Sequence, residues 1–182
     1  MLSQSSVEPE YQLNATRGVR LDDLRFPFPS HWRTVRGIQR LSTSKDTGLT
    51  SHPELRLKAE QLFGIQMTPD SSGAVTINLS MDFGPTVPSL EPNWVELGRV
   101  YLEACGVGPS LARSMFRMPN YQWKLGETAS ALGVRPRSLQ MALFREGYSF
   151  DATLRRCRRL HTLLEQGDPI AGLRVARGCC AD

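Results

Sequence analysis

Residues 123–147, WKLGETASALGVRPRSLQMALFREG, constrain the fold more than any other segment of the chain. The first apolar residues of this segment recur at helical spacing and predict the buried stripe of one helix: Leu125, Thr128, Ala129 and Leu132. Gly133 can form a tight turn, because glycine tolerates backbone angles that other residues avoid. Pro136 can begin a second helix, where its missing N–H group costs nothing. The segment therefore predicts two short helices joined by a turn, which is a helix-turn-helix.

The second of these helices combines an apolar inner face with a polar outer face. Leu139, Ala142 and Leu143 are spaced to pack against the first helix. The residues left to point outward are Arg135, Arg137, Ser138, Gln140, Met141 and Arg145. Arginine can bind O6 and N7 of guanine, and glutamine can bind N6 and N7 of adenine. These six residues and Lys124 are the predicted DNA contacts. A plain helical hairpin would need the same apolar stripe, but it would not need Gly133 together with an arginine-rich outer face.

Positive charge is concentrated toward the carboxyl-terminal end. Residues 113–182 contain twelve arginines and lysines against six acidic residues, a net charge of +6, while the whole chain carries +4. Residues 1–112 are therefore net negative. A basic segment of this kind is typical of a protein with a polyanion partner, and a solvated basic face is the alternative. Arg113, Arg117 and Lys124 suit either phosphate contacts or an ordinary surface.

The segment resembles the first helix-turn-helix of AraC/XylS-type bacterial transcription regulators. The family pattern A-x-x-L-G-(V/M)-(S/T)-P-R-(S/T)-L-Q-R-x-L, followed by G-x-S-F, is matched by Ala129, Leu132, Gly133, Val134, Pro136, Arg137, Ser138, Leu139, Gln140, Leu143, Gly147, Ser149 and Phe150. The resemblance covers roughly residues 107–178. It implies a DNA-binding regulator of transcription, with a long linking helix over Asp151–Glu165.

Two features depart from the family pattern. Arg135 stands where the family has Ser or Thr, so the second helix lacks an N-cap worth about 0.5–2 kcal/mol. In the second helix-turn-helix, Arg174 and Arg177 replace apolar residues, and the sequence ends at Asp182 before a second recognition helix. We therefore expect residues 107–182 to form an AraC-like DNA-binding domain whose second helix-turn-helix is incomplete. One such module predicts weak or non-specific DNA binding by a single chain.

The preceding residues give weaker patterns. Residues 1–30 lack sustained periodicity and predict a flexible arm. Residues 31–106 predict a small α+β region, which in the AraC/XylS family would sense a ligand or dimerise. Within it, residues 31–41 are ambiguous, with a spacing that a short helix would also give. Helices are expected over 53–62 and 93–105, and a β-hairpin over 63–83. The predicted fold class is α+β and mostly helical: a C-terminal all-α helix-turn-helix domain preceded by a small region with a β-hairpin and helices.

Composition argues against several other classes. The sequence has no apolar run near the ~20 residues of a membrane helix and no signal-peptide core, which indicates a cytoplasmic protein. The four cysteines and three histidines lack metal-ligand spacing, so no metal or cofactor is predicted. No phosphate loop or nucleophile motif is present, so an enzyme is not expected.

The predicted partner is double-stranded DNA, with RNA polymerase or a second copy of the chain as further partners. The alternative function is that of a degenerate regulator relative, which acts through protein–protein interaction without specific DNA binding. Arg174 and Arg177, at positions that are usually apolar, favour this alternative.

Overall fold

The computed structural model describes residues 10–43, 46–51, 53–84 and 89–166. The strands in these ranges are β1 (Glu10–Ala15), β2 (Val19–Leu24), β3 (Ser30–Arg36), β4 (Ile38–Thr43), β5 (Asp46–Ser51), β6 (Glu54–Leu57), β7 (Phe63–Thr68) and β8 (Val75–Met81). The helices are α1 (Trp94–Leu102), α2 (Val107–Arg117), α3 (Leu125–Ala131), α4 (Pro136–Arg145) and α5 (Phe150–Gln166). The chain divides into two compact units, one containing the strands and the other spanning Val87–His161.

The strand unit consists of two four-stranded antiparallel sheets. The strand order is β1-β8-β3-β6 in one sheet and β2-β7-β4-β5 in the other. The chain therefore passes from one sheet to the other at most of its turns, as in a double-sheet jelly roll.

The interior of the strand unit is filled by apolar side chains. β8 alternates fully buried residues, Val75, Ile77, Leu79 and Met81, with half-buried polar ones. It lies between β1 and β3, with Leu13 opposite Ile77 and Trp32 opposite Leu79. Phe26, Trp32 and Phe63 contact one another, with ring centroids 5.6–6.2 Å apart.

The predicted fold class, a mostly helical chain with one β-hairpin, is wrong, because eight strands in two antiparallel sheets precede the helices. The expected hairpin is absent because its two strands, β7 and β8, do not pair with each other. β7 and β8 lie where strands were expected, but β7 pairs with β2 and β4 in one sheet while β8 pairs with β1 and β3 in the other. The turn between them therefore connects two sheets and not two neighbours in one sheet.

The residues from Glu10 onward, expected in a flexible arm, form β1 and β2. The alternation in β2 is interrupted at Asp23, which has a positive φ of 57°, and the register with β7 shifts between Leu21 and Leu24. Such a bulge hides the period of two on which a strand prediction depends.

The ambiguous residues 31–41 and the residues expected to form a helix over 53–62 also form strands. Gly37, with φ +82°, separates β3 from β4, and a Cβ atom there would lie 2.7 Å from the Thr68 carbonyl oxygen. This glycine moves the chain from one sheet to the other and breaks the alternation. In β6, Leu55 and Leu57 are buried while Glu54 and Arg56 are exposed, a period of two that outweighs the helix-start signal of Pro53.

The helix expected over 93–105 is present as the shorter α1. Its buried residues are Leu97 and Val100, whereas Val95 and Leu102 are 85% and 84% exposed. The linking helix expected over Asp151–Glu165 corresponds to α5. The second helix-turn-helix, predicted over residues 167–182, lies outside the described residues.

The described ranges contain neither a membrane-spanning helix nor a metal-binding group of side chains. None of their helices is both long and apolar enough to cross a lipid bilayer. No three His, Cys, Asp or Glu side chains in these ranges come together as a metal-binding group.

Candidate nucleic-acid interface

The turn between α3 and α4 is fixed by backbone hydrogen bonds. Gly133 has φ +68°, a left-handed conformation that glycine adopts without strain. The Gly133 N–H donates to the Ser130 carbonyl at 3.0 Å, and the Val134 N–H donates to the Ala129 carbonyl at 2.9 Å. These two bonds form a Schellman motif, which ends α3 and turns the chain into α4.

The far end of α4 closes in the same way. Gly147 has φ +76°, its N–H donates to the Phe144 carbonyl at 3.0 Å, and the Tyr148 N–H donates to the Leu143 carbonyl at 2.9 Å. Pro136 occupies the first turn of α4, as proline favours. Both ends of α4 are therefore set by local backbone geometry.

The inner face of α4 packs on α3 and α2. Leu139 and Leu143 are buried, and Ala129 of α3 is fully buried beside them. A small residue at 129 allows the two helix backbones to approach closely. Of the three residues of α4 expected to face inward, Leu139 and Leu143 are buried and Ala142 is half-buried.

The outer face of α4 carries most of the predicted DNA contacts. Exposed side chains on or beside this helix are Arg135, Arg137, Ser138, Gln140, Met141 and Arg145. Within the described part of the chain, the side chains of Arg135, Arg137, Gln140 and Arg145 make no hydrogen bond or ion pair. Their donors are therefore available to a ligand.

Lys124 differs from the other predicted contacts because it has an intramolecular partner. It precedes α3, and its Nζ atom lies 2.7 Å from Glu127 Oε1. The hydrogen bond and the negative charge of Glu127 raise the pKa of Lys124. Both side chains are exposed, so the pair leaves the lysine charge only partly compensated.

Phe144 belongs to the same outer face and was not among the predicted contacts. It is 75% exposed, and Met141 is 45% exposed. Arg137, Gln140, Met141 and Phe144 follow the spacing i, i+3, i+4, i+7, which places them on one stripe of a helix. Helical spacing counted from Arg137 would have identified Phe144 from sequence.

Glu146, at the end of α4, caps the beginning of α2. Its Oε1 atom accepts from the Val107 N–H at 3.1 Å and its Oε2 atom from the Gly108 N–H at 2.7 Å. A carboxylate at a helix N-terminus satisfies free N–H groups and lies at the positive end of the helix dipole. Because these residues are 38 and 39 positions apart, spacing alone gives no signal for the contact.

Gly108 brings α2 directly onto Tyr148. A Cβ atom at this position would lie 2.2 Å from Cδ2 of the Tyr148 ring, so no larger residue fits without a shift of the ring or the helix. The guanidinium carbon of Arg156 lies over the Tyr148 ring, 5.8 Å from the ring centroid.

α5 braces the same group of helices. The Cys157 thiol donates to the Ala112 carbonyl at 3.4 Å, and the rings of His161 and Phe116 are 6.1 Å apart. The Arg158 guanidinium donates to the carbonyls of Pro119 and Tyr121 at 3.0 and 3.3 Å. This arginine therefore fixes the loop that leads into α3.

Aromatic rings pack beside that loop. Trp94, Tyr121 and Trp123 contact edge to face, with centroids 5.0–6.2 Å apart, and Trp123 Nε1 donates to the Met118 carbonyl at 3.0 Å. The loop that leads into α3 is therefore held by ring contacts and a hydrogen bond.

Two further arginines on α2 reinforce the positive charge of this unit. Burial and the charge of nearby Arg113 lower the pKa of Arg117. Two neighbouring guanidinium groups repel each other because they carry like charges.

Comparisons with known proteins find partial structural matches at low sequence identity. No protein-family model and no curated protein sequence matches the chain. A structure of ToxT from Vibrio cholerae aligns over 85% of this chain and 82% of its own, with 7% identity and a TM-score of 0.48. ToxT with bound unsaturated fatty acid aligns over 90% and 82%, with 8% identity and a TM-score of 0.45. The catabolite activator protein of Thermus thermophilus aligns over 84% and 91%, with 11% identity and a TM-score of 0.28.

Proposed function

We propose that this protein is a DNA-binding transcription regulator of the AraC/XylS type, which contacts duplex DNA through α4. The observation that supports this most directly is the outer face of α4. It presents exposed arginine and glutamine side chains that have no partner in the described part of the chain. Backbone hydrogen bonds fix the turns at both ends of this helix. The resemblance of residues 129–150 to the family pattern points the same way.

Each predicted contact has a role that fits its place on the helix. Arg137 and Gln140, one turn apart, are suited to base edges in the major groove, where arginine selects guanine and glutamine selects adenine. Arg135 and Ser138 lie at the N-terminal end of α4, where no side chain caps the helix. Free N–H groups and a positive dipole end favour a phosphate there.

The remaining cations are suited to binding the backbone of the duplex. Arg145 ends α4, and Lys124 precedes α3. Phosphate contacts of this kind position a protein on DNA without selecting its sequence. One module with a few such contacts binds weakly and with a steep dependence on salt.

The test is DNA binding measured by fluorescence anisotropy at low and moderate salt. We compare the wild type with an Arg137→Ala, Gln140→Ala double variant. Arg17→Ala, an exposed arginine after β1, is a control that removes the same charge. We expect the wild type to bind a labelled duplex, the double variant to lose at least about tenfold in affinity, and Arg17→Ala to bind like the wild type.

Other results would contradict the proposal. If the wild type fails to bind duplex DNA even at low salt, α4 is not a DNA-binding helix, and the alternative of a regulator relative acting through protein contacts gains support. If all three proteins bind equally, DNA binding takes place elsewhere on the chain.

A further inference from the structure

We propose that Met141 and Phe144 contact thymine methyl groups, so that the preferred DNA site contains thymine next to the bases contacted by Arg137 and Gln140. This inference rests on the proposed function and makes it more specific. It concerns the half of the α4 outer face that carries no hydrogen-bonding group.

Apolar side chains lie on both the inner and the outer face of α4. Leu139 and Leu143 are buried on the inner face. Met141 and Phe144 are apolar as well, but they are 45% and 75% exposed on the outer face. A phenylalanine so exposed gains little from folding, because the hydrophobic effect acts only on surface that is removed from water. Packing does not explain its place on α4, and it differs from other exposed apolar residues such as Leu102 because it continues the stripe of Arg137, Gln140 and Met141.

Polar and apolar side chains occupy different halves of the outer stripe of α4. The outer stripe begins with two polar residues, Arg137 and Gln140, and ends with two apolar ones, Met141 and Phe144. From Arg137 to Phe144 the helix rises by about 10 Å, which is about three base-pair steps of DNA. The polar and apolar halves can thus contact neighbouring base pairs.

The major groove of DNA presents both hydrogen-bonding atoms and an apolar group on its base edges. Among the base edges in the major groove, the C5-methyl group of thymine is the apolar feature, and aromatic and aliphatic side chains are its partners. Guanine and adenine offer hydrogen-bonding atoms to the polar half. The face therefore matches a short site in which purines contacted by Arg137 and Gln140 are followed by thymine.

The experiment uses the full-length chain and a duplex library with a short randomised window. Sequences enriched by the wild type are identified, and each enriched thymine is replaced by deoxyuridine, which lacks only the methyl group. Affinities of both duplexes are measured for the wild type and for a Met141→Ala, Phe144→Ala variant. Leu102→Ala removes an apolar side chain of α1 that is 84% exposed and is the control.

We expect thymine to be enriched, and removal of one methyl group to weaken wild-type binding by about fourfold, the value for one buried methylene-sized group. The Met141→Ala, Phe144→Ala variant should bind the thymine and deoxyuridine duplexes equally. Leu102→Ala should keep the wild-type ratio. Circular dichroism spectra establish that the variants remain folded.

Three outcomes would overturn the inference. If the wild type enriches sequences but binds thymine and deoxyuridine duplexes alike, the methyl contact is absent while the proposed function stands. If the variant keeps the wild-type ratio, other residues contact the methyl group. If the wild type enriches no sequence and binds no duplex, both the inference and the proposed function fail.

Discussion

Arg135 lies at a position where the residue proposed to bind DNA is not the residue that best stabilises the helix. It occupies the N-cap position of α4 with an extended backbone, and its side chain makes no capping hydrogen bond. A Ser or Thr at an N-cap accepts a hydrogen bond from the first turn of its helix, which arginine cannot do. The same position places a positive charge at the end of α4 that we propose binds DNA.

Arg135→Ser should therefore stabilise the protein and weaken DNA binding. We expect the free energy of unfolding to rise by about 0.5–2 kcal/mol, because the serine hydroxyl can accept from the N–H of residue 137 or 138. DNA affinity should fall because a cation is lost. Urea unfolding and fluorescence anisotropy measure the two effects. Arg135→Ala removes the charge without adding a cap, so equal stability of the Ser and Ala variants would refute the capping argument.

Gly108→Ala tests the contact between α2 and the Tyr148 ring. The added Cβ would lie 2.2 Å from the ring, and overpacking of this kind costs about 1–3 kcal/mol. Gly98→Ala in α1 is the control, because nothing lies within 4 Å of a Cβ atom at that position and alanine favours a helix. Thermal unfolding should show a lower midpoint for the first variant and an unchanged or higher one for the second. A Gly108→Ala protein as stable as the wild type would mean that the ring moves freely.

At the scale of the helices, the position of α4 depends on contacts made far along the chain. Glu146 connects the end of α4 to the start of α2, and Arg158 of α5 holds the loop before α3. α4 is thereby linked directly to α2, while α5 holds the loop before its partner helix α3.

Glu146→Ala should loosen this arrangement. Two partly buried N–H groups of α2 would lose their acceptor, at a cost of about 1–3 kcal/mol in the free energy of unfolding. Glu146→Gln keeps one acceptor oxygen and should lose less. The measurement is urea unfolding followed by the helical circular dichroism signal. Glu127→Gln, at an exposed carboxylate paired with Lys124, should change stability little, and a loss as large as that of Glu146→Ala would show that charge alone causes the effect.

An element could be predicted from the sequence where its structure depends on nearby residues, and not where it depends on distant ones. α3, its turn and α4 depend on local signals: helical spacing, the left-handed Gly133 and the first-turn Pro136. The strands depend on partners distant in sequence, such as Leu13 opposite Ile77. A period of two identifies a strand such as β8, but it does not indicate which sheet the strand joins. Glu146 and Gly108 were missed for the same reason, since their partners come from other helices.

At the scale of the whole molecule, charge is distributed unevenly. Residues 113–182 carry a net charge of +6 against −2 for the rest of the chain. Such a distribution attracts a polyanion to one part of the protein and makes binding sensitive to ionic strength.

Salt should therefore weaken DNA binding in proportion to the number of phosphate contacts. A plot of log K against log salt concentration has a slope of about −0.9 per phosphate neutralised on a duplex. We expect Arg145→Ala to make this slope about one unit shallower, while Arg17→Ala leaves it unchanged. Anisotropy titrations at several salt concentrations provide the slopes. An unchanged slope for Arg145→Ala would remove Arg145 from the phosphate contacts.

The turns at Gly133 and Gly147 delimit α4 without involving its outward side chains. α4 is ten residues long, about 15 Å, and its ends are set by Pro136, Gly133 and Gly147, while its anchoring side chains are Leu139 and Leu143. None of these is among the outward residues that we propose contact DNA. If α4 contacts DNA as proposed, substitutions on its outer face would alter the preferred operator while the backbone that presents it stays the same. Apart from Arg135, which lies at the N-cap, the residues that fix the fold of α4 and those proposed to select its target are different, so one set can change with little effect on the other.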